Sequence, residues 1–349
     1  MTKIKATIIA DSIGPAQDRL TTMLLTFPRF ILAELNTHRM LSKNSASSRA
    51  IPFKTMLKSV KENPFIPIAW QKDHKGMQGT EYFNKDESKV NERVWLEARD
   101  SALENAMQLN DFEITKQLCN RLLEPFMWHT VLCTATEFSN FFELRCPSYQ
   151  IDNSPIFKSK KDLINYFEND LDILEILNSY SDLDWLTLNK GQAEIHIMEL
   201  AEQMWDEYQN SVPLQLKEDE WHIPFQEQID LKDLIEIQKL LENSLDRTLA
   251  AIKISTAMCA RTSYTVVGNE TKINNYRKDI DLYDILLKSG HMSPFEHCAK
   301  SMTNAEYYSF VKGNGYNNLH GLEFESSSHG WCRNFRGFIQ IRELTENKI

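Results

Sequence analysis

Two periodicities alternate along this chain, and together they restrict the fold more than any single motif does. Lys3–Ala10 and Thr22–Phe30 are dense in β-forming residues; Asp11 ends the apolar core of the first, Gly14-Pro15 breaks the chain after it, and Pro28 stops the second. Trp128–Thr136 predicts a third, buried strand. Elsewhere the spacing is helical. Ile31, Glu34, Leu35 and His38 share one face of a predicted helix, Leu96, Leu103, Ala106 and Met107 mark another over Asn91–Leu109, and Ile114, Leu118 and Leu122 stack in a helix that Asp111 would cap. Amphipathic helices are also predicted over Gln192–Tyr208 and Leu231–Thr256. Ser59–Gly79 and Ser211–Gln228, with their prolines, predict long connectors. Strands and helices mixed in this way point to an α+β fold.

A chain of 349 residues with 42% hydrophobic and 25% charged residues can bury a core without covalent staples. No apolar run reaches the length of a membrane span, and the N-terminus reads as a strand, not a signal peptide, so a soluble, cytoplasmic protein with no membrane partner is expected. The six cysteines form no CxxC pair, which argues against a disulfide framework or a zinc ribbon. A net charge of -10 disfavours an extended nucleic-acid surface. Clustered arginines can still build a local anion pocket, because screening limits the reach of distant charge to about 10 Å.

Such a cluster lies at Asn36–Ala50, where His38, Arg39, Ser42, Asn44, Ser47 and Arg49 fall within a short span. Guanidinium groups flanking hydroxyl and amide donors suit a phosphate, whose oxygens the fork of an arginine matches. The competing reading is a capped helix followed by a polar surface loop. Arg121 sits beside the predicted Ile114 stripe, where an arginine usually snorkels to water. In Glu137–Arg145, Phe138, Phe141 and Phe142 share a helical face and are read as core, with Asn140 and Arg145 beside them. Towards the C-terminus stand Cys259-Ala-Arg-Thr-Ser-Tyr264 and His291-Met-Ser-Pro-Phe-Glu-His297. In the second, Ser293, Pro294 and Glu296 fit N-cap, N1 and N3 of a capping box, and a helix N-terminus there would offer amides to an anion. Gly313–His329 reads as a loop near the site, and Arg333, Arg336 and Arg342 stand beside aromatics in the last segment.

His-Arg-x-x-Ser-x-Asn-x-x-Ser-x-Arg, from His38 to Arg49, resembles the signature of flavin-dependent thymidylate synthases, the ThyX family. The family has Arg before the His and Glu after the Asn, where this chain has Thr37 and Ser45. Arg121-Leu-Leu-Glu-Pro, Asn140 to Arg145, Gly191-Gln-Ala-Glu-Ile195, the Ala-Arg-x-Ser stretch ending at Ser263 and Ser-Pro-Phe-Glu-His297 resemble further family segments. The last two precede the His-Arg motif in familiar members and follow it here, so the motif order looks circularly permuted. The resemblance implies a mixed α/β fold with a central sheet flanked by helices. Residues 1–145 would form its first part, 146–190 an insertion and 191–349 the remainder. It also implies a homotetramer, and the permuted form is similar to versions carried by large bacteriophages.

For chemistry, the resemblance implies methylation of dUMP to dTMP with FAD as cofactor and methylenetetrahydrofolate and NADPH as co-substrates. His38, Arg39, Ser42, Asn44, Asn140, Ser263 and His297 would line the flavin; Ser47, Arg49, Arg121, Arg145 and Gln192 would hold the nucleotide. Arg145 and Ser47 are the candidate catalytic residues, Arg145 orienting the uracil and Ser47 acting as a binder, since no general base is visibly paired with it. Cys146 beside Arg145 reads as an ordinary cysteine. Other readings remain open: a flavin-dependent hydroxymethylase or methylase acting on dUMP or dCMP, a non-catalytic nucleotide-binding protein, or a hydrolase with a metal held among His291, His297, Cys298, His320, His329 and Cys332.

Overall fold

The computed structural model describes residues 2–75, 79–230, 234–235, 246–264, 275–310 and 328–346. Its centre is a five-stranded sheet in the order β3-β4-β2-β1-β5, formed by β1 (Lys5–Ile13), β2 (Arg19–Pro28), β3 (Ser42–Ser45), β4 (Trp128–Ala135) and β5 (Leu214–Gln215). β1 and β2 pair antiparallel from Lys5 opposite Thr26 to Ile13 opposite Arg19. The first strand therefore runs past Asp11. Its carboxylate does not end the strand because it accepts from Arg19 Nε at 2.9 Å, Thr21 Oγ1 at 2.8 Å and Ser211 Oγ at 2.6 Å.

Side chains alternate across a strand, so the sheet has two unlike faces. Met23, Leu25 and Phe27 of β2 lie with Val131 and Cys133 of β4 in the main apolar core, which the helices α5 (Ser139–Arg145) and α9 (Ile195–Asn210) complete with Phe138, Phe141, Phe142, Ile197 and Met204. The three phenylalanines are core, as their spacing predicts. On the opposite face Ser42, Thr134 and Thr22 stand in cross-strand register as a row of hydroxyls. That face is covered by a second sheet in the order β10-β7-β6, made of β6 (Trp221–His222), β7 (Ala299–Ser301) and β10 (Phe338–Gln340). Ahead of β10, β8 (Trp331–Cys332) and β9 (Phe335–Arg336) form a short hairpin.

The remaining helices depart from the periodicity in instructive ways. The helix α1 covers only Leu32–Asn36, so His38 lies beyond its end, while α2 (Phe53–Glu62) occupies the start of the expected 59–79 loop. Asn84 caps the 27-residue helix α3 (Lys85–Asp111) with a capping box closed by Glu87. Asp111 ends α3 and caps nothing; Thr115 caps α4 (Lys116–Cys119), which runs into a 3-10 helix over Asn120–Phe126. The stripe is not the buried face: Ile114, Leu118 and Leu122 are exposed, whereas Cys119, Leu123 and Phe126 are buried against α2 and α3. Residues 146–190 fold into α6 (Lys160–Tyr166), α7 (Leu171–Ser179) and α8 (Asp182–Leu188), with their own small core of Tyr149, Leu163, Leu177 and Trp185.

The expected Leu231–Thr256 helix falls partly outside the described residues, and so does the 313–329 loop apart from its end; a helix does run over Arg247–Arg261. Ser293–Glu296 is a four-residue 3-10 turn, not a capped helix. Met292 occupies the N-cap position, Ser293 Oγ donates to Asn44, and Glu296 pairs with Arg342 at 2.5 Å, so neither side chain is free for a capping box. A turn this short presents no helix N-terminus to an anion. Among the described residues no helix is long and apolar enough to cross a membrane.

Candidate functional site

The four residues of β3 organise the site because each turns to a different partner. Ser42 and Asn44 face the second sheet and are buried; Lys43 and Ser45 face the other way. Asn44 Nδ2 donates to the Cys259 carbonyl at 2.5 Å, and Asn44 Oδ1 accepts from Ser293 Oγ at 3.2 Å. One side chain thus ties the His38–Arg49 segment to both C-terminal segments. One residue pair further on, Ser47 N–H donates to the Ser263 carbonyl at 3.0 Å. Ser42 Oγ accepts from Asn334 Nδ2 at 2.9 Å and, more loosely, from Gln340 Nε2 at 3.4 Å. Replacing Asn44 by Ala is expected to cost about 1–3 kcal/mol, and Asn44→Asp more, since a carboxylate would face the Cys259 carbonyl with no proton between them. Urea midpoints check this; a midpoint unchanged in both variants would mean that the tie contributes nothing.

On the other side of β3, Lys43 Nζ donates to the His38 carbonyl at 2.7 Å and fixes the turn that carries the imidazole. Arg145, at the C-terminus of α5, donates from Nε to His38 Nε2 at 3.0 Å and pairs with Glu34 at 3.4 Å. Because guanidinium only donates, His38 Nε2 must be the acceptor, and the neutral ring carries its proton on Nδ1. Burial, Arg145 and Lys43 all oppose a second proton, and the His38 pKa falls to about 4. Its ring also stands edge-on to Phe141, with centroids 4.9 Å apart.

A third group surrounds the loop that follows β3. His129 Nε2 accepts from Ser45 Oγ at 2.7 Å and from Arg29 Nη1 at 2.9 Å, which leaves Nδ1–H buried and without a partner among the described residues. Arg29 and Arg121 both lie 3.6 Å from Glu124, so two cations share one carboxylate. Asn120 Nδ2 holds the carbonyls of Ser48 at 2.7 Å and Ile51 at 3.1 Å, and binds the Ser47–Arg49 loop to the turn carrying Arg121. Arg49 and the Arg121 side chain are exposed. Ser47 Oγ accepts from the Arg49 N–H at 3.3 Å, and no base is among its partners.

These arrangements separate the expected site residues into groups. Ser42, Asn44, Ser47, Ser263 and His297 gather around β3 and the second sheet; His38 and Arg145 form a pair on the opposite side; Arg49 and Arg121 share the loop region. Asn140 is exposed on α5, Arg39 is exposed after α1, and Gln192 is exposed ahead of α9, where its amide donates to the Lys190 carbonyl at 3.1 Å. His297 bonds Thr134 at 2.8 Å on the hydroxyl face, whereas His38 lies on the Lys43 side, so within one chain β3 and β4 stand between the two imidazoles. His297, Ser42 and Asn44 are buried, and each bonds inside the chain: Ser42 to Asn334, Asn44 to Cys259 and Ser293, and His297 through Nδ1 to Thr134. They fit a supporting role. They do not fit direct contact with one isoalloxazine ring that His38 also touches in the same chain. Arg39, Arg49 and Arg121, by contrast, present exposed guanidinium groups suited to phosphate.

Sequence patterns did not single out Arg29, Asn120, His129, Asn334 or Gln340, because isolated polar residues carry no periodic signal. Arg333 and Arg342 are engaged in ion pairs with Glu343, Glu346 and Glu296, and Arg336 lies 3.6 Å from Asp18. Cys146 is buried, which pushes its thiol well above the ordinary range and away from nucleophilic use. No group of three or more His, Cys, Asp or Glu able to hold a metal occurs among the described residues; His320 lies outside them.

No family model and no curated protein matches this chain. Among solved structures it is similar to the UMP/dUMP methylase PolB from Streptomyces cacaoi in two forms, bound with 5-Br UMP and with 5-Br dUMP. The identities are 15% and 13%, the alignments cover 62% of this chain and 91% and 92% of that one, and the TM-score is 0.41 in both. A superposition this loose transfers no activity.

Proposed function

We propose that the chain is an enzyme acting on a pyrimidine nucleotide, and specifically a flavin-dependent thymidylate synthase that methylates dUMP. The observation that supports this reading best is the bond pair at Asn44, since it joins three motif segments that are far apart in sequence. In this reading Arg49 and Arg121 bind the nucleotide phosphate, with Ser47 completing its hydrogen bonds, and Gln192 contributes from a neighbouring region or subunit. Arg145 orients the uracil, and neutral His38 holds the Arg145 guanidinium in place by accepting from Nε. Ser42, Asn44 and His297 support the site from beneath, while His38, Arg39, Asn140 and Ser263 are the residues left for the flavin. When bound, reduced FAD would supply electrons and methylenetetrahydrofolate the carbon, with NADPH regenerating the flavin. A homotetramer, as the family resemblance implies, would let residues separated in one chain serve a shared site.

A second reading is favoured by Ser45, which stands where the family has Glu and is bonded to His129 instead of bearing a charge. It is a hydroxymethylase or methylase of dUMP or dCMP. Both readings are tested by one experiment. The purified protein is examined for the visible absorption of flavin, then incubated with FAD, NADPH, methylenetetrahydrofolate and either dUMP or dCMP, and the products are weighed by mass spectrometry. A dTMP product is expected. A hydroxymethylated or dCMP-derived product supports the second reading, and a colourless protein that alters neither nucleotide overturns both.

A further inference from the structure

Beneath the site a hydrogen-bonded chain of five side chains crosses the sheet. Ser12 Oγ lies 2.9 Å from His222 Nδ1, His222 Nε2 lies 2.8 Å from Thr22 Oγ1, Thr22 Oγ1 lies 2.8 Å from Thr134 Oγ1, and Thr134 Oγ1 lies 2.8 Å from His297 Nδ1. All five are buried, and His297 Nε2 at the end has no partner among the described residues. β1, β2, β4, β6 and the turn after Glu296 supply one group each.

The proton count restricts this chain severely. Each hydroxyl carries one proton, and each neutral imidazole carries one N–H. A threonine that donates to one neighbour must accept from the other; otherwise a contact holds two protons or none, and a buried polar group goes unpaired. Only two arrangements satisfy every contact. In one, the protons point from Ser12 towards His297, and both imidazoles carry theirs on Nε2. In the other the protons point back, and both carry theirs on Nδ1. The two histidines therefore share one tautomer in either case. Burial lowers the pKa of His222 to about 4 and of His297 to about 3, which keeps both rings neutral at pH 7 as this argument requires.

We propose that His222 is a positioning residue which, through Thr22 and Thr134, sets whether Nε2 of His297 is an N–H donor or a bare acceptor. A group placed against Nε2 would in turn select the direction of the whole chain. The inference concerns the ligand-free protein and stands apart from the nucleotide reading.

The test is nitrogen NMR on the full-length protein labelled with 15N-histidine at pH 7, where protonated and bare ring nitrogens resonate far apart. His222 and His297 are expected to show the same tautomer. Thr22→Val removes the central hydroxyl while keeping its shape, and is expected to convert His297 to a mixture of both tautomers; Thr22→Ser should preserve the wild-type pattern. Opposite tautomers in the wild-type protein, or a His297 spectrum unmoved by Thr22→Val, would overturn the proposal. If Thr22→Val does not fold, the wild-type pair decides by itself.

Discussion

Lowering the pH from 7 to 5 is expected to remove stability at up to about 4 kcal/mol per pH unit near pH 5.5, enough to consume a large part of the 5–15 kcal/mol typical of a folded protein. The cause is four histidines that the fold holds neutral. Burial is the main cause throughout: it lowers His38 to about 4, helped by Arg145 and Lys43, His129 to about 3, helped by Arg29, His222 to about 4 against the opposing charge of Asp11, and His297 to about 3, from an ordinary 6.5. Each takes up its proton on unfolding, so the unfolded state binds more protons as pH falls. The stability they permit is whole above 6.5 and is lost progressively down to about 4 for His38 and His222 and about 3 for His129 and His297. Glu202 works in the opposite sense, because burial raises it to about 7 and its folded form already holds a proton in this window. It offsets roughly one histidine, and the carboxyls of Asp18, Glu34, Asp206 and Asp279, which burial also raises, act in the same sense, so the net is at most about three protons and the slope above is its upper limit. Urea denaturation at pH 7, 6, 5.5 and 5 measures it. A midpoint that stays level over that range would show that these imidazoles are not buried neutral.

Arg145→Ala is expected to reduce kcat/KM about 100- to 1,000-fold on the proposed reading, the range seen when one oriented donor at a developing charge is removed. The same substitution has a consequence that needs no substrate. It deletes the donor to His38 Nε2 and a positive charge close to the ring, so the His38 pKa should rise from about 4. It should stay below 6.5, because burial is the larger cause and remains. Arg145→Lys keeps a charge but cannot reproduce the Nε donor together with the Glu34 contact, and should recover little activity. Steady-state kinetics and an NMR titration of His38 are the measurements. A variant with full activity would remove Arg145 from the site, and an unmoved His38 titration would deny the contact.

Where a local pattern carried the information, it was enough. β1, β2 and β4, the long helix α3, the helix α9 and the Phe138, Phe141 and Phe142 face all follow from spacing over a few residues, because burial on one side of an element repeats with that element's own period. The pattern misled where a neighbouring face was the one packed. Ile114, Leu118 and Leu122 line up on an ideal α-helix, yet Ile114 lies before the helix that starts at Lys116, and the neighbouring face with Cys119, Leu123 and Phe126 is the one packed on α2 and α3. At Ser293 and Glu296 the capping signature was present, but Asn44 and Arg342 claimed the two side chains first.

The candidate site was legible as a list of residues and not as an arrangement. The motif residues from His38 to Arg49 could be picked out, but nothing in them indicated that Ser42 and Asn44 turn one way and Lys43 and Ser45 the other with respect to the second sheet.

By itself, then, the amino-acid sequence determined where the longest strands and helices lie and which residue types are available for binding, since both are properties of neighbours along the chain. Only the tertiary structure decided that His38 and His297 lie on opposite faces of the sheet, that Ser45 pairs with His129, and that Ser12, Thr22 and Thr134 link two distant histidines. The reason is that a buried polar group must find its partner in space, and here the partner of Thr22 sits at position 222 and that of Asn44 at position 259.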